Sequence, residues 1–256
     1  MTDIITELFP DGVLRVEMNR PDKKNAMTGP MYSRLAEVLS EADKNDKVRV
    51  VLWHGAGDAF TAGNDIVDFL KNPPHGGDSP QARLTSEFIE FGKPLIAAVR
   101  GIAVGGGTTM LTHCDFVFAS ESSRFQVPFI NLALTPEFGS SLSVPARAGY
   151  LRAAELYFLG EPFSASHAAE LGLVTQVVPD ADLLHVAMAT ARKLATKPAG
   201  ALKAHKRLLK QALIDPLRAA VAAEEQEFGV RVVSAEAKEA FSAFLEKRPP
   251  NFQKAA

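Results

Sequence analysis

Apolar and polar positions alternate over Val13–Met18, which places every second side chain on one face, as expected for a half-buried β-strand. A polar loop follows, and apolar positions then recur at helical spacing over residues 31–44. Thr28 stands where the capping residue of this helix is expected, and Pro30 is tolerated in a first helical turn. The start of the chain therefore predicts a strand, a loop and a helix.

The same succession repeats up to about residue 195. Apolar runs predict strands at 48–55, 94–99, 114–119 and 173–178, and helical spacing predicts helices at 65–70 and 83–91. The stretch 71–80 is rich in Pro and Gly, which predicts a mobile surface loop. Short strands followed by loops and helices favour an α/β fold over a β-sandwich.

The character of the chain changes after Pro179, where Ala, Leu, Glu and Lys dominate. This composition predicts helices at 181–197, 200–214, 217–230 and 235–248. We therefore predict two parts, a body over residues 1–195 and a helical C-terminal segment over residues 196–256. The apolar stripe at 241–252 is suited to packing on its own chain or on a neighbouring copy.

Composition and charge exclude several classes of function. The 256 residues are 46% hydrophobic, enough for a sizeable core, and the formal net charge of −2 gives no broad electrostatic reason to expect a nucleic-acid or membrane partner. No apolar run reaches the about 18 residues of a membrane span, and the N-terminus does not read as a secretory signal. A single cysteine, Cys114, fits a reducing compartment, so a cytoplasmic location is expected. The scattered histidines show no metal-ligand spacing, so no metal site is predicted.

Three consecutive glycines, Gly105–Gly107, interrupt the apolar stretch 98–120. Glycines at a strand end that enters a helix leave backbone N–H groups free and let a ligand approach the main chain closely. The stretch lacks the Lys-Ser or Lys-Thr pair of a phosphate-binding P-loop and the spacing of a dinucleotide fingerprint. The chain also has no Gly-x-Ser-x-Gly nucleophile motif. A tight, closely packed turn and a ligand contact both remain open at this point.

Several segments together resemble the crotonase superfamily, the family of enoyl-CoA hydratases and isomerases. The matching pieces are MNRPDKKNAMT (18–28), GAGDAFTAGNDI (55–66), KPLIAAVRGIAVGGGTTMLTHCDFVFAS (93–120), FQVPFINLALTPEFGSS (125–141), SASHAAELGLVTQVV (164–178) and FSAFLEKRPPNF (241–252). The resemblance implies an α/β fold that is a right-handed spiral of β-β-α repeats. It also implies C-terminal helices that assemble a homotrimer, or a dimer of trimers.

The resemblance further implies which groups carry the chemistry. In this family two backbone N–H groups bind the thioester oxygen of an acyl-CoA, and they correspond here to Asn64 and Gly106. The two glutamates that activate water in the hydratases correspond to Thr109 and Phe129, neither of which transfers protons usefully near neutral pH. Glu137, in the sequence TPEFGSS, resembles the catalytic base of the Δ3,Δ2-enoyl-CoA isomerases of the peroxisomal type. An isomerase acting on a 3-enoyl-CoA through a thioester enolate is therefore expected.

Contacts with the coenzyme A portion of the substrate are also implied by the resemblance. They fall on Lys24, Ala26, Ala62, Gly63, Asp65, Ile66 and Lys247, with Lys23 a further candidate for the phosphates. Asp65 is equally suited to cap the helix that follows it. No cofactor is expected, because coenzyme A is part of the substrate. Other enolate chemistry, as in a specialised hydratase, lyase or thioester hydrolase, and a non-catalytic acyl-CoA binder stay open as alternatives.

Overall fold

The computed structural model describes residues 2–72 and 78–254. Residues 73–77, within the loop predicted at 71–80, lie outside the described residues. The strands, numbered in chain order, are β1 (Ile4–Leu8), β2 (Val13–Met18), β3 (Val50–Gly55), β4 (Leu95–Val99), β5 (Ile102–Val104), β6 (Phe116–Ser120), β7 (Arg124–Gln126), β8 (Phe163–Ser164) and β9 (Gln176–Val178).

The helices alternate with these strands and then dominate the C-terminal part. They are α1 (Gly29–Lys44), α2 (Ile66–Lys71), α3 (Pro80–Glu90), α4 (Gly106–Thr109), α5 (Ser140–Ala148), α6 (Tyr150–Leu159), α7 (Ala165–Glu170), α8 (Leu183–Ala195), α9 (Ala199–Val232) and α10 (Ala235–Leu245). The predicted α/β fold with a helical C-terminal segment is confirmed. The boundary near residue 195 and the role of the segment in trimerisation stay predictions.

Two sheets share the strands. The larger sheet has the order β1-β2-β3-β4-β6-β9 and is parallel except for β1 against β2, whereas the smaller sheet has the order β5-β7-β8. Each of β4 and β6 belongs to the larger sheet and is followed at once by a strand of the smaller one. The chain therefore turns a corner after each of these strands, which is the β-β-α succession expected of a spiral.

Both faces of the larger sheet are covered, as a parallel sheet requires. One face packs on α8 through Leu183, Ala187 and Ala191, and the other packs on α1 and α3 in the larger of the two hydrophobic cores. The body of the molecule thus holds the ends of the strands in fixed positions, where the loops of the site begin. In the described part of the chain no helix has the length and apolar run needed to span a bilayer.

The prediction of separate helices at 200–214 and 217–230 is wrong, because α9 continues through Pro216. A proline inside a helix removes one hydrogen bond and crowds the preceding turn, at a cost of about 3 kcal/mol. Packing on both sides of the proline offsets this cost. Lys206 Nζ donates to the Lys93 carbonyl at 2.8 Å and to Asp115 Oδ2 at 2.7 Å, while Phe228 is buried in the main core.

The C-terminal helices close the core over α2. The ring of Phe69 lies 6.1 Å from that of Phe228 on α9 and 5.6 Å from that of Phe241 on α10, measured between centroids. Aromatic pairs at such distances add about 0.5–1.5 kcal/mol to the gain from burial. The helical segment is therefore part of the same packed unit as the site-bearing loops.

Gly101 forms the corner between β4 and β5. We expect its replacement by alanine to destabilise the protein more than the replacement of Gly172 by alanine. The φ of Gly101 is +62°, and a Cβ at this position would lie 1.9 Å from the Asp58 carbonyl oxygen. Gly172 has a similar φ of +71°, but a Cβ there would come no closer than 3.8 Å to Arg147 Cβ. Both alanine variants carry left-handed strain of about 1–2 kcal/mol, and G101A adds an overpacking cost of about 1–3 kcal/mol. Urea denaturation should show G101A to be the less stable variant, and equal stabilities would contradict this account of the corner.

Candidate active site

Two chain segments lie side by side and form one wall of a cavity. Phe60 N and Thr61 N donate to the Ile102 carbonyl at 3.1 and 3.0 Å, and Val104 N donates to the Thr61 carbonyl at 3.1 Å. The contact continues to Gly63, where an added Cβ would lie 2.7 Å from the Val104 carbonyl oxygen. The pairing of 60–64 with 102–105 therefore brings Asn64 and Gly106 to the same wall.

The cavity has a volume of about 920 Å³, and Asn64, Gly106 and Glu137 all line it. Its remaining wall is mainly apolar and includes five aromatic rings, from Phe69, Phe129, Phe228, Phe241 and Phe244. A cavity of this size and polarity is typical of a site for a small organic ligand.

The backbone N–H groups of Asn64 and Gly106 have no acceptor among the described residues. At Gly106 the reason is local, because this residue opens α4 and the first N–H groups of a helix lack an intrahelical partner. At Asn64 the neighbouring residues take the available partners, since Met27 N donates to the Gly63 carbonyl and Asp65 N donates to the Met27 carbonyl. Two free donors on one wall can bind an oxygen that carries negative charge.

Position 106 leaves little room for a side chain, because the Glu137 carboxyl would have to move away from an added Cβ. An added Cβ would lie 2.6 Å from Glu137 Oε1, 3.2 Å from Phe138 Cε2 and 3.4 Å from the Tyr32 hydroxyl. These distances also place the Glu137 carboxyl directly beside the Gly106 backbone. The structure thus brings together the three residues that the sequence singled out for chemistry.

The Glu137 carboxyl is poorly solvated although its side chain borders the cavity. Its Oε1 atom is buried and has no hydrogen-bond partner among the described residues. Burial, with a further contribution from the negative charge of Glu224, raises the pKa of Glu137 to about 8. This carboxyl can therefore exist in both protonation states near neutral pH, as a group that accepts and returns a proton must.

The other two carboxylates on the cavity wall have structural partners. Asp65 caps α2, accepts from Val67 N and Asp68 N at 3.1 Å each, and pairs with Arg20 at 3.1 Å. Burial opposes ionisation of Asp65, but the hydrogen bonds from Asp68 N–H and Arg20 outweigh it and lower its pKa. Asp68 accepts from Gly29 N at 2.7 Å, so it supports the start of α1, where the Thr28 hydroxyl makes no capping bond.

Positions 109 and 129 carry no acid or base. Thr109 is fully buried, and its hydroxyl lies 3.4 Å from the Gly105 and Gly106 carbonyl oxygens. Phe129 is 5% exposed, lines the cavity and stacks against Tyr157 with 6.3 Å between centroids. Among the described lining residues, Glu137 is the carboxyl that remains available for proton transfer.

Tyr32 is a site residue that the sequence did not indicate. It lies on the buried face of α1, and its hydroxyl donates to Asn64 Oδ1 at 2.8 Å, which fixes the side chain of the residue that offers the N–H. Burial, and then the charge of Glu137, raises the pKa of Tyr32, so the phenol stays neutral. In the sequence, the only indication was that Tyr32 would place a polar hydroxyl on the buried face of a helix.

The residues expected to contact coenzyme A divide into two groups. Ala26, Ala62, Gly63, Asp65 and Ile66 line the cavity, as expected. Lys24 and Lys247 do not line it, whereas their chain neighbours Lys23 and Arg248 do.

No cluster of His, Cys, Asp and Glu suited to a metal ion occurs within residues 2–72 and 78–254. His113, whose ring contacts the Phe138 carbonyl next to Glu137, stacks on Phe88 with 5.2 Å between centroids. Burial raises the pKa of the Cys114 thiol, which makes it a poor nucleophile.

The family model for enoyl-CoA hydratase/isomerase matches residues 9–255 of this chain. The 1,2-epoxyphenylacetyl-CoA isomerase of Escherichia coli (strain K12) is 34% identical over 98% of this chain and 99% of its own length. The enoyl-CoA delta isomerase 2 of Homo sapiens is 35% identical over 93% of this chain, which spans 62% of that longer relative. The crystal structure of an enoyl-CoA hydratase/isomerase from Pseudoalteromonas atlantica T6c is 37% identical, with a TM-score of 0.93 over 98% of this chain and 100% of that one. Relatives named as hydratases match at comparable identity.

The raised pKa of Glu137 predicts a pH-dependent difference in stability between the protein and its E137Q variant. A folded-state pKa of about 8 lies above the ordinary value of 4.5, so the folded state binds more protons than the unfolded state between these two pH values. The free energy of unfolding, relative to that of E137Q, should therefore fall as pH rises through this window and level off above it. Denaturation at several pH values measures this difference, with E121Q at an exposed position directly after β6 as the charge-matched control. A difference that does not change with pH would contradict the assignment.

Proposed function

Since this chain belongs to the enoyl-CoA hydratase/isomerase family and has the crotonase fold, we propose that it moves a double bond of an enoyl-CoA from the 3 to the 2 position. One observation carries the proposal. The unpartnered Glu137 carboxyl lies beside Gly106, while Thr109 and Phe129 occupy the positions that resemble the water-activating acids of the hydratases.

In the proposed reaction, the ionised Glu137 removes a proton from C2 of a 3-enoyl thioester. The electrons of the broken C–H bond move toward the carbonyl, so negative charge develops on the thioester oxygen. The same carboxyl then returns its proton to C4, and the double bond moves between C2 and C3. Atoms are conserved, because the proton that leaves C2 is the one delivered to C4.

The free N–H groups of Asn64 and Gly106 are the proposed donors to that oxygen. Fixed donors aimed at a developing charge lower the barrier, and loss of one such donor typically costs about 3 kcal/mol. Because backbone atoms donate, the Asn64 side chain is free to bond with Tyr32.

Hydration is less well supported, because it needs a group that delivers water and a group that delivers a proton. Asp65 and Asp68 are engaged in capping and ion pairing, which leaves Glu137 alone. A lyase or thioester hydrolase would use the same N–H pair, and a non-catalytic binder would not need the buried carboxyl at all.

A second candidate is isomerisation of a CoA thioester that carries a ring. The five phenylalanines of the cavity favour it, as does the likeness over nearly the full length to a relative named 1,2-epoxyphenylacetyl-CoA isomerase. Aromatic contacts of this kind add about 0.5–1.5 kcal/mol each.

Assembly and the coenzyme A contacts outside the cavity stay proposals. Tyr150, Leu151 and Phe158 on α6 are 71%, 82% and 68% exposed, which suits burial between copies in a homotrimer or a dimer of trimers. Lys24 and Lys247 are proposed to meet the nucleotide portion beyond the cavity.

Turnover of 3-hexenoyl-CoA and of 2-hexenoyl-CoA separates the candidates. We expect conjugated thioester to form from the first and little hydration of the second. E137Q should lose at least about 100-fold in kcat, because proton transfer by a positioned side chain is worth that much or more, while its affinity for the thioester is retained. Hydration without isomerisation would exclude the proposal, and binding without turnover would favour the non-catalytic alternative.

The pH profile of isomerisation gives an independent check. A base must be ionised, so kcat/KM should rise with pH and level off above a pKa of about 8. A profile that is already flat from pH 5 upward would show that Glu137 is not the base.

Ring preference is tested with 5-phenyl-3-pentenoyl-CoA, whose alkene is not conjugated with the ring, against 3-hexenoyl-CoA, and with 1,2-epoxyphenylacetyl-CoA as a direct substrate. The aryl thioester should have the higher kcat/KM, and F241L should reduce this preference by about 2–10-fold, the value of one aromatic contact. Equal kcat/KM values for the two alkenes, unchanged in F241L, would remove the second candidate.

A further inference from the structure

The turn that carries Glu137 has an unusual backbone. Phe138 has a φ of +61° and Gly139 a φ of +68°, so two left-handed residues follow the carboxyl-bearing residue directly. Glycine adopts this conformation readily, but phenylalanine does not, and such strain persists only where the surroundings hold it in place.

A carboxylate from the C-terminal helix α9 holds this turn. Glu224 is 7% exposed, its Oε2 accepts from Gly139 N at 2.6 Å, and its Oε1 accepts from Ser141 N at 2.7 Å. These N–H groups lie at the start of α5, where no side chain of the helix itself provides a cap. A negative charge at a helix N-terminus is also favourable to the helix dipole.

The opposite side of the turn is held by His113, whose Nε2 lies 2.8 Å from the Phe138 carbonyl oxygen. Burial lowers the pKa of His113 to about 3, so the ring is neutral. Because a carbonyl can only accept, Nε2 carries the hydrogen. The strained residue is thus fixed through its own carbonyl and through the N–H that follows it.

A small cavity of about 60 Å³ lies between α3 and α9, and both Glu137 and Glu224 line it. Tyr32 on α1 faces Glu137, Tyr157 on α6 faces both carboxyls, and Glu225 on α9 is the charged neighbour of Glu224. Tyr157 and Tyr32 have raised pKa values, chiefly through burial, and are neutral, so they do not neutralise the charge of Glu224. Burial also raises the pKa of Glu224, and the hydrogen bonds from Ser141 and Gly139 oppose that shift by stabilising its ionised form.

We propose that Glu224 is a positioning residue that fixes the strained turn from α9, and thereby sets both the placement of the Glu137 carboxyl beside Gly106 and the electrostatic field that it experiences. The positioning part of this inference rests on the proposed role of Glu137 as the base. Glu224 itself does not line the larger cavity, so it acts through Glu137 and not on the substrate.

The test compares E224Q with E225Q, a matched control at the next position of α9 that also borders the small cavity. The infrared carbonyl band of the protonated Glu137 carboxyl is recorded while pH is raised. For each protein, the spectrum of the same protein with the additional substitution E137Q is subtracted, so that the remaining band belongs to Glu137. In E224Q the midpoint of this titration should fall by about one unit or more, because a nearby like charge is removed, and in E225Q it should stay at the value of the unchanged protein.

Kinetics with 3-hexenoyl-CoA test the positioning. Displacement of a catalytic group by about 1 Å costs up to about 100-fold in rate, so E224Q should lose about tenfold or more in kcat with KM within about twofold. E224D keeps the charge but withdraws it from Gly139 N and Ser141 N, so it should lower kcat while leaving the Glu137 midpoint near its original value.

The inference is overturned if E224Q keeps the kcat and the titration midpoint of the unchanged protein. It is also overturned if E224Q and E224D both lose folded structure and their changes in kcat and KM are explained by that loss, because Glu224 would then have only a structural role. If the unchanged protein does not isomerise the thioester, the proposed function fails, but the infrared titration still decides whether Glu224 sets the environment of Glu137.

Discussion

A carboxyl group at the cavity wall, with one oxygen buried and without a hydrogen-bond partner, is the constraint on which this site depends. Such a group is costly to ionise, and the fold accepts that cost at Glu137 instead of pairing the carboxyl with a cation. The glycine at position 106 leaves room for it, and the strained backbone at Phe138 aims it. Backbone strain and an unpaired buried group both lower the stability of the folded state. Their occurrence at the same place is typical of a functional site.

The residues that sequence patterns predicted are those whose role is local. Gly106 is indicated because three adjacent glycines at a strand end leave N–H groups free, and the structure does place an unpartnered N–H there. Asn64 and Glu137 came from the family motifs, and both line the cavity with Gly106. Strands β2, β3, β4, β6 and β9 and most helices were predictable for the same reason, because their periodicity lies within a short window. The strands β1, β5, β7 and β8 and the helices α5, α6 and α7 were not predicted.

The residues that were missed act across long stretches of chain. Tyr32 meets Asn64 from a helix whose pattern indicated only core packing, and Glu224 meets Gly139 from 85 positions away. Pro216 misled the prediction of α9 because its local effect is to break helices, whereas the contacts that keep this helix continuous are tertiary. Contacts between residues that are far apart in the chain are set by tertiary packing, so the spacing of residue types along one sequence does not indicate them.

The C-terminal helices are more than a cover for the body. Phe228 and Phe241 form part of the cavity wall, and Glu224 on the same helix as Phe228 holds the turn of Glu137. The site is therefore shared between the part of the chain that alternates strands with helices and the part that is purely helical. Any movement of α9 would change the shape of the cavity and the environment of its carboxyl together. The placement of the proposed base therefore depends on the packing of the helical segment. That segment contributes to the chemistry of the site as well as to the hydrophobic core.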